Sequence, residues 1–197
     1  MDITAQMVKE LREKTGVGMM DCKKALQATE GNMEEAIKYL REKGISKAAT
    51  KSDREAKEGR IHSYVHFNNK IGVLVEVNCE TDFVARTDDF EELCKHIAMH
   101  IAASAPIAVS EADLDQELIR KEREIYYNKA INEGKPENIA TKIADGQVHK
   151  FITQNCLLNQ EDFREADSTV QDVIHHAVAK MGENIQVARF VRYSLGE

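Results

Sequence analysis

The hydrophobic period of this chain runs helical, then alternating, then helical, then alternating once more, and that order dictates the fold class. Up to Gly44 the spacing predicts three short helices. Thr4 caps the first, Met7, Val8 and Leu11 follow at helical spacing, and Thr15-Gly16 stops it. The second runs from about Met19 to Ala28 with Met19, Cys22, Ala25 and Leu26 inward, and Gly31 ends that region. The third runs from about Asn32 to Lys43 with Met33, Ala36, Ile37 and Leu40 on one face, and Gly44 closes it. A bundle this small is marginal alone, so a packed neighbour or a partner is expected.

From Ile45 to Gly59 helix formers persist without an apolar stripe, which suits an exposed helical linker. Strand signals begin at Arg60: Ile61, Ser63, Val65 and Phe67 alternate with His62, Tyr64 and His66, and Asn68-Asn69-Lys70 makes a turn. The return strand, Ile71 to Asn78, is apolar on both faces and therefore central. Thr87 caps a helix whose first turns are acidic and which continues through Leu93, Ile97 and Ile101 to a stop before Pro106. A charged amphipathic helix spans about Glu111 to Glu133, with Leu114, Leu118 and Ile125 inward. Pro136 opens another helix, carrying Ile139 and Ile143, that Gly146 interrupts. Ser168 caps the last, which ends at Gly182, and Ile185, Val187, Arg189, Val191 and Tyr193 alternate as a closing strand.

The expectation is an α+β fold. Residues 1-45 form a three-helix module, 46-59 a linker and 60-197 an α+β core, with a helical section at about 111-165 and the closing strand at about 184-194. The last strand joins the hairpin in a three-stranded antiparallel sheet with helices on one face. Two free edges and an open face invite a second copy of the chain.

Composition narrows the function. With 197 residues, 42% hydrophobic and 31% charged, this is a globular chain, and no apolar run is long enough to span a bilayer. The opening Met-Asp-Ile-Thr-Ala-Gln carries no targeting signal, so a cytoplasmic location without a membrane is expected. The four scattered cysteines read as reduced thiols, and the net charge of -7 argues against direct nucleic-acid binding.

Chemistry-bearing patterns are few. His96 and His100 sit four apart on a helix, but the segment lacks the Glu that a hydrolytic zinc helix places after its first His. His62 with His66 and His175 with His176 have no third ligand nearby in sequence. There is no G-x-S-x-G, and Gly16-Val17-Gly18 is too short for a phosphate loop. No catalytic residue, metal or cofactor is therefore expected; a metal-dependent enzyme using His96 and His100 stands as the weaker alternative.

Two segments call for explanation. In Leu11 to Leu26, the adjacent Met19 and Met20 cannot both face one core, so one of them is a candidate contact surface. Glu76 to Arg86 is a short loop between a buried strand and the Thr87 cap. One reading makes Asp82 a cap or turn residue and Phe83 a core plug. The other makes the pair a projecting wedge, an acid beside an aromatic on a stiff mount, suited to invading another protein.

At these two segments, LREKTGVGMMDCKKAL (Leu11 to Leu26) and EVNCETDFVAR (Glu76 to Arg86), the chain resembles the translation elongation factor Ts family. Members promote guanine-nucleotide exchange on elongation factor Tu. The resemblance covers essentially the whole chain and implies an N-terminal module of the ubiquitin-associated type followed by the α+β core. It also implies that Thr81, Asp82, Phe83 and Val84 enter the partner's G domain near its magnesium and switch regions. Arg12, Val17, Met19 and Met20 would grip a neighbouring helix. Long family members carry two related core subdomains, whereas this chain has one sheet. That matches the short type, in which a homodimer supplies the second and two copies bind two partners. The short type can use a disulfide near its C-terminus; no cysteine follows Cys156 here, so the dimer is expected to be non-covalent. The alternative is an interaction module of the ubiquitin-associated type without exchange activity, which has no need of a rigid acid-aromatic loop.

Overall fold

The computed structural model describes residues 3–196. In chain order the helices are α1 (Ala5–Thr15), α2 (Met19–Ala28), α3 (Met33–Ala49), α4 (Asp82–Ala85), α5 (Asp88–Ser104), α6 (Gln116–Asn132), α7 (Glu137–Asn155) and α8 (Val170–Met181). The strands are β1 (Glu58–Val65), β2 (Ile71–Cys79) and β3 (Gln186–Ser194), and they form one antiparallel sheet in the order β1-β2-β3. The fold is α+β. The chain divides into two compact units, the first of Met1–His62, Glu76–Lys95 and Asp172–Val187, the second of Ser63–Val75, His96–Gln171 and Ala188–Glu197.

In the first unit, α1 to α3 enclose their own core of Val8, Leu11, Cys22, Ala25, Leu26, Ala36 and Leu40, with Met7, Met33 and Tyr39 packed against it. The helix starts follow local chemistry. Thr4 Oγ1 accepts the N–H of Met7 at 3.2 Å, and Asn32 Oδ1 accepts those of Glu34 and Glu35. Met19 and Ile37, expected inward, are exposed, because Cys22, Ala36 and Leu40 already fill the interior of this small bundle. Gly44 does not close α3, which continues to Ala49. Gly44 faces Ala179 of α8, whose Cβ lies 3.7 Å from where a Cβ at Gly44 would sit, an ordinary van der Waals distance. Arg41 bridges to Asp172 at 2.8 Å, and His176 Nε2–H donates to the Thr15 carbonyl at 2.5 Å.

Strand β2 is central as expected, with Val73, Val75, Val77 and Cys79 all buried. Strand β1 begins earlier than the alternation suggested, at Glu58. Gly59 sits at φ +145° in close contact with the Val77 carbonyl, where any Cβ would overlap the backbone. The hairpin is closed by His66 N–H to the Ile71 carbonyl at 2.9 Å, with Asn69 in the left-handed region at φ 56°.

Helix α5 starts as its sequence dictates: Thr87 Oγ1 accepts the Phe90 N–H at 3.3 Å. In the second unit, α6 and α7 pack together as a helical hairpin. Leu114 lies before α6, after a 3-10 turn at Glu111–Asp113, so a period counted from it sets the wrong phase and Ile125 ends 57% exposed. Gly146 does not interrupt α7. Its cost of about 1 kcal/mol relative to Ala is a modest one for a helix docked along its neighbour. Ser168 lies two residues before the α8 start, and its carbonyl accepts the Asp162 N–H at 2.7 Å.

Residues 160–168 are tied to α5 by the two histidines that suggested metal binding. His96 Nε2–H donates to Asp162 Oδ1 at 2.5 Å, and His100 Nε2–H to Gln160 Oε1 at 3.0 Å. Gln160 is held in that orientation because its amide donates to the carbonyls of Gln154 (2.7 Å) and Ser104 (3.4 Å). Among the described residues no group of three or more His, Cys, Asp or Glu is placed to hold a metal ion. Burial lowers the pKa of His100 against the opposing pulls of Gln160 and of Asp162, while His96 nearby lowers it further. The neutral ring therefore stabilises the fold fully above its ordinary value of 6.5, and that contribution fades as pH falls towards the lowered folded value. Going from about pH 7.5 to about pH 5.5, the thermal midpoint of the wild type is expected to fall further than that of His100→Gln. Equal losses would assign the pH dependence to other groups.

Candidate functional site

The segment between β2 and α5, expected as a loop, is a single helical turn on a rigid mount. Thr81 is extended (φ -130°, ψ 152°) and caps α4, its Oγ1 accepting the Val84 N–H at 3.4 Å. Ala85 is buried and anchors the turn, whereas Phe83 is 79% exposed. Asp82 is half-buried and bridged to Arg86 at 2.7 Å. Thr87 serves both helices: its hydroxyl donates to the Val84 carbonyl at 2.8 Å, while the same oxygen opens α5. Phe83 is thus no core plug. It projects from a turn whose backbone is held at both ends.

The mount comes from a distant part of the sequence. Glu183, just beyond α8, accepts through Oε2 the N–H groups of Glu80 and Thr81, both at 3.0 Å, and through Oε1 the Thr81 hydroxyl at 2.6 Å. In return Glu80 Oε1 accepts the Asn184 N–H at 2.7 Å and lies 3.4 Å from the Arg54 guanidinium. Those two contacts, the Asn184 hydrogen bond foremost, hold the Glu80 carboxyl below its ordinary value against the opposing effect of burial. Asn184 is buried and donates its side-chain amide to the carbonyls of Arg54 (2.7 Å) and Ser52 (3.3 Å). Burial pushes the Cys79 thiol up to about 11, and the protonated sulfur donates to the Thr81 carbonyl at 3.2 Å.

A second exposed group lies at the α1–α2 turn. Gly16 takes the left-handed conformation at φ 66° and returns its N–H to the Arg12 carbonyl at 2.7 Å. Met19 and Met20, in the first turn of α2, are 44% and 66% exposed, and Arg12 is exposed at the end of α1. Val17 is set apart from them: it is 5% exposed, and its carbonyl accepts the Cys22 thiol at 3.4 Å.

The family model for elongation factor Ts matches residues 2–197. The chain belongs to the elongation factor Ts family. Among its relatives, the elongation factor Ts of Fervidobacterium nodosum is 56% identical over 197 residues and covers both chains completely. That of Heliobacterium modesticaldum is also 56% identical, over 99% of this chain and 91% of its own. That of Thermosipho melanesiensis is 54% identical over 99% of this chain and all of its own. Membership places the chain among translation elongation factors. No helix among the described residues is long and apolar enough to cross a membrane.

For this elongation factor Ts family member, sequence reasoning singled out Thr81 to Val84 but passed over Glu183, Asn184 and Glu80. Glu183 lies 102 positions from Thr81, beyond any local periodicity. Its only sequence signal is an acid set directly after Gly182, which ends α8 at φ +81°.

Proposed function

We propose that this chain is a guanine-nucleotide exchange factor that binds elongation factor Tu carrying GDP and promotes GDP release. It acts in the cytoplasm and makes no covalent bond. The observation that carries this reading is the exposed Phe83 on a braced turn. An aromatic ring held outside its own core gains roughly 2–3 kcal/mol when another protein buries it. Its rigid mount means that little ordering entropy is lost on binding. Wedged beside the partner's Mg²⁺ and phosphate site, Phe83 with Asp82, Thr81 and Val84 would shift groups that the cation bridges and so loosen the nucleotide. Coupling of this kind is reciprocal: a factor that weakens GDP binding is itself weakened by GDP, so neither ligand holds the partner permanently.

Arg12, Met19 and Met20 form the grip on a neighbouring helix of the partner. Methionine side chains adapt to an irregular surface, and Val17 supports their turn from the bundle core. The nucleotide-free partner is bound through the same two surfaces.

The chain acts as a non-covalent homodimer, giving a complex of two copies with two partners. Supporting this, Val65, Phe67, Leu74, Val191, Tyr193 and Leu195 of the second unit are all exposed, with Phe67 87% so. In β1 the half-buried positions are instead Gly59, Arg60, His62 and Tyr64. A strand that turns its apolar side outward is expected to be covered by another surface.

Release of fluorescent GDP from elongation factor Tu, with and without this chain, is the direct test. Phe83→Ala is expected to keep the thermal midpoint of the wild type and slow stimulated release at least about tenfold, ~1.4 kcal/mol; normal release would sink the wedge. Met20→Ala is expected to raise the dissociation constant for the partner more than it changes release at saturation, and an unchanged constant removes Met20 from the grip. Phe67→Asp is expected to sediment as a monomer where the wild type sediments as a dimer. A dimer in both would place the self-association surface elsewhere.

A further inference from the structure

We propose that Glu183 is a positioning residue for the exchange element: its carboxylate sets the angle and stiffness with which Phe83 projects. This rests on the exchange reading above and extends it to a residue outside the Thr81 to Val84 turn.

Helix α4 has four residues, too few to stand on helical cooperativity. Within the turn, Thr81 Oγ1 accepts the Val84 N–H. The hydroxyl proton of Thr81 and the backbone protons of Glu80 and Thr81 all go to Glu183. One carboxylate therefore fixes both the strand exit and the side chain that caps α4. The chain of contacts runs from Glu183 to Thr81, from Thr81 to Val84, and so to the turn that carries Phe83. Hydrogen bonds to an ionised acceptor are roughly twice as strong as neutral ones. The Asn184 N–H to Glu80 contact runs the other way, making a two-sided clasp between the α8–β3 connection and the β2–α4 junction. An amide is a weaker replacement for this carboxylate: with its oxygen on the two N–H groups, its NH₂ would donate to Thr81 Oγ1, the hydroxyl proton would lose its acceptor, and the charge that strengthens all three bonds would be gone.

The test is a double-mutant cycle with Glu183→Gln and Phe83→Ala. It reads GDP release from elongation factor Tu at saturating factor, the thermal midpoint, and amide hydrogen exchange across residues 80–84. Glu183→Gln is expected to slow release about tenfold and to speed exchange of the Glu80 and Thr81 amides about tenfold or more, while α1 to α3 keep their protection. In the Phe83→Ala background the same substitution is expected to slow release less than about twofold, since its effect passes through the ring. Wild-type release, or an equal slowing in both backgrounds, would overturn the proposal. If Glu183→Gln does not fold, Glu183→Asp keeps the charge but shortens its reach to Glu80 and Thr81. Slowed release together with faster Glu80 and Thr81 amide exchange in that chain supports the proposal, and wild-type release refutes it. A normal rate for Phe83→Ala alone would count against the wedge, whereas unchanged Glu80 and Thr81 amide exchange in Glu183→Gln would count against the clasp.

Discussion

The Glu183 carboxylate takes up three hydrogens from two consecutive residues, Glu80 and Thr81, and the conformation of the exposed turn depends on that contact. A strand that leaves a sheet and turns at once into a helix strands several backbone donors, because neither element has partners for them at the junction. Here the donors are satisfied by an acid on a different connection. The turn is left with its aromatic outward and its capping threonine locked. Asn184, reaching back to Glu80 and to the Ser52 and Arg54 carbonyls, draws the segment after α3 into the same arrangement.

The same economy of contacts holds α1 to α3. A three-helix bundle with so few buried side chains has little stability to spare. Contacts to α8 supplement it: Gly44 against Ala179, the Arg41–Asp172 pair and the His176 donor on the Thr15 carbonyl. The last of these also steadies the end of α1, next to the turn that presents Met19 and Met20. On the proposed function, both partner-facing elements are thus braced by residues around α8. Exchange by a wedge needs that bracing, since a ring on a mobile loop would yield to the partner instead of displacing its nucleotide contacts.

The sequence by itself determined the element types and most of their starts. Thr4 and Thr87 cap as their chemistry dictates, and the run from Ile71 to Asn78, apolar on both faces, identifies the central strand. Those signals are local: a cap acts over three residues and a strand pattern over a few more. The two motifs were also legible, since they are contiguous runs. Tertiary structure decided the rest. Ile125 turns outward because α6 starts after Leu114, and Phe83 projects because Glu183 holds the residues before it. The second of these depends on a neighbour far along the chain. Periodicity and propensity carry no information about such partners, so only the folded chain could reveal them.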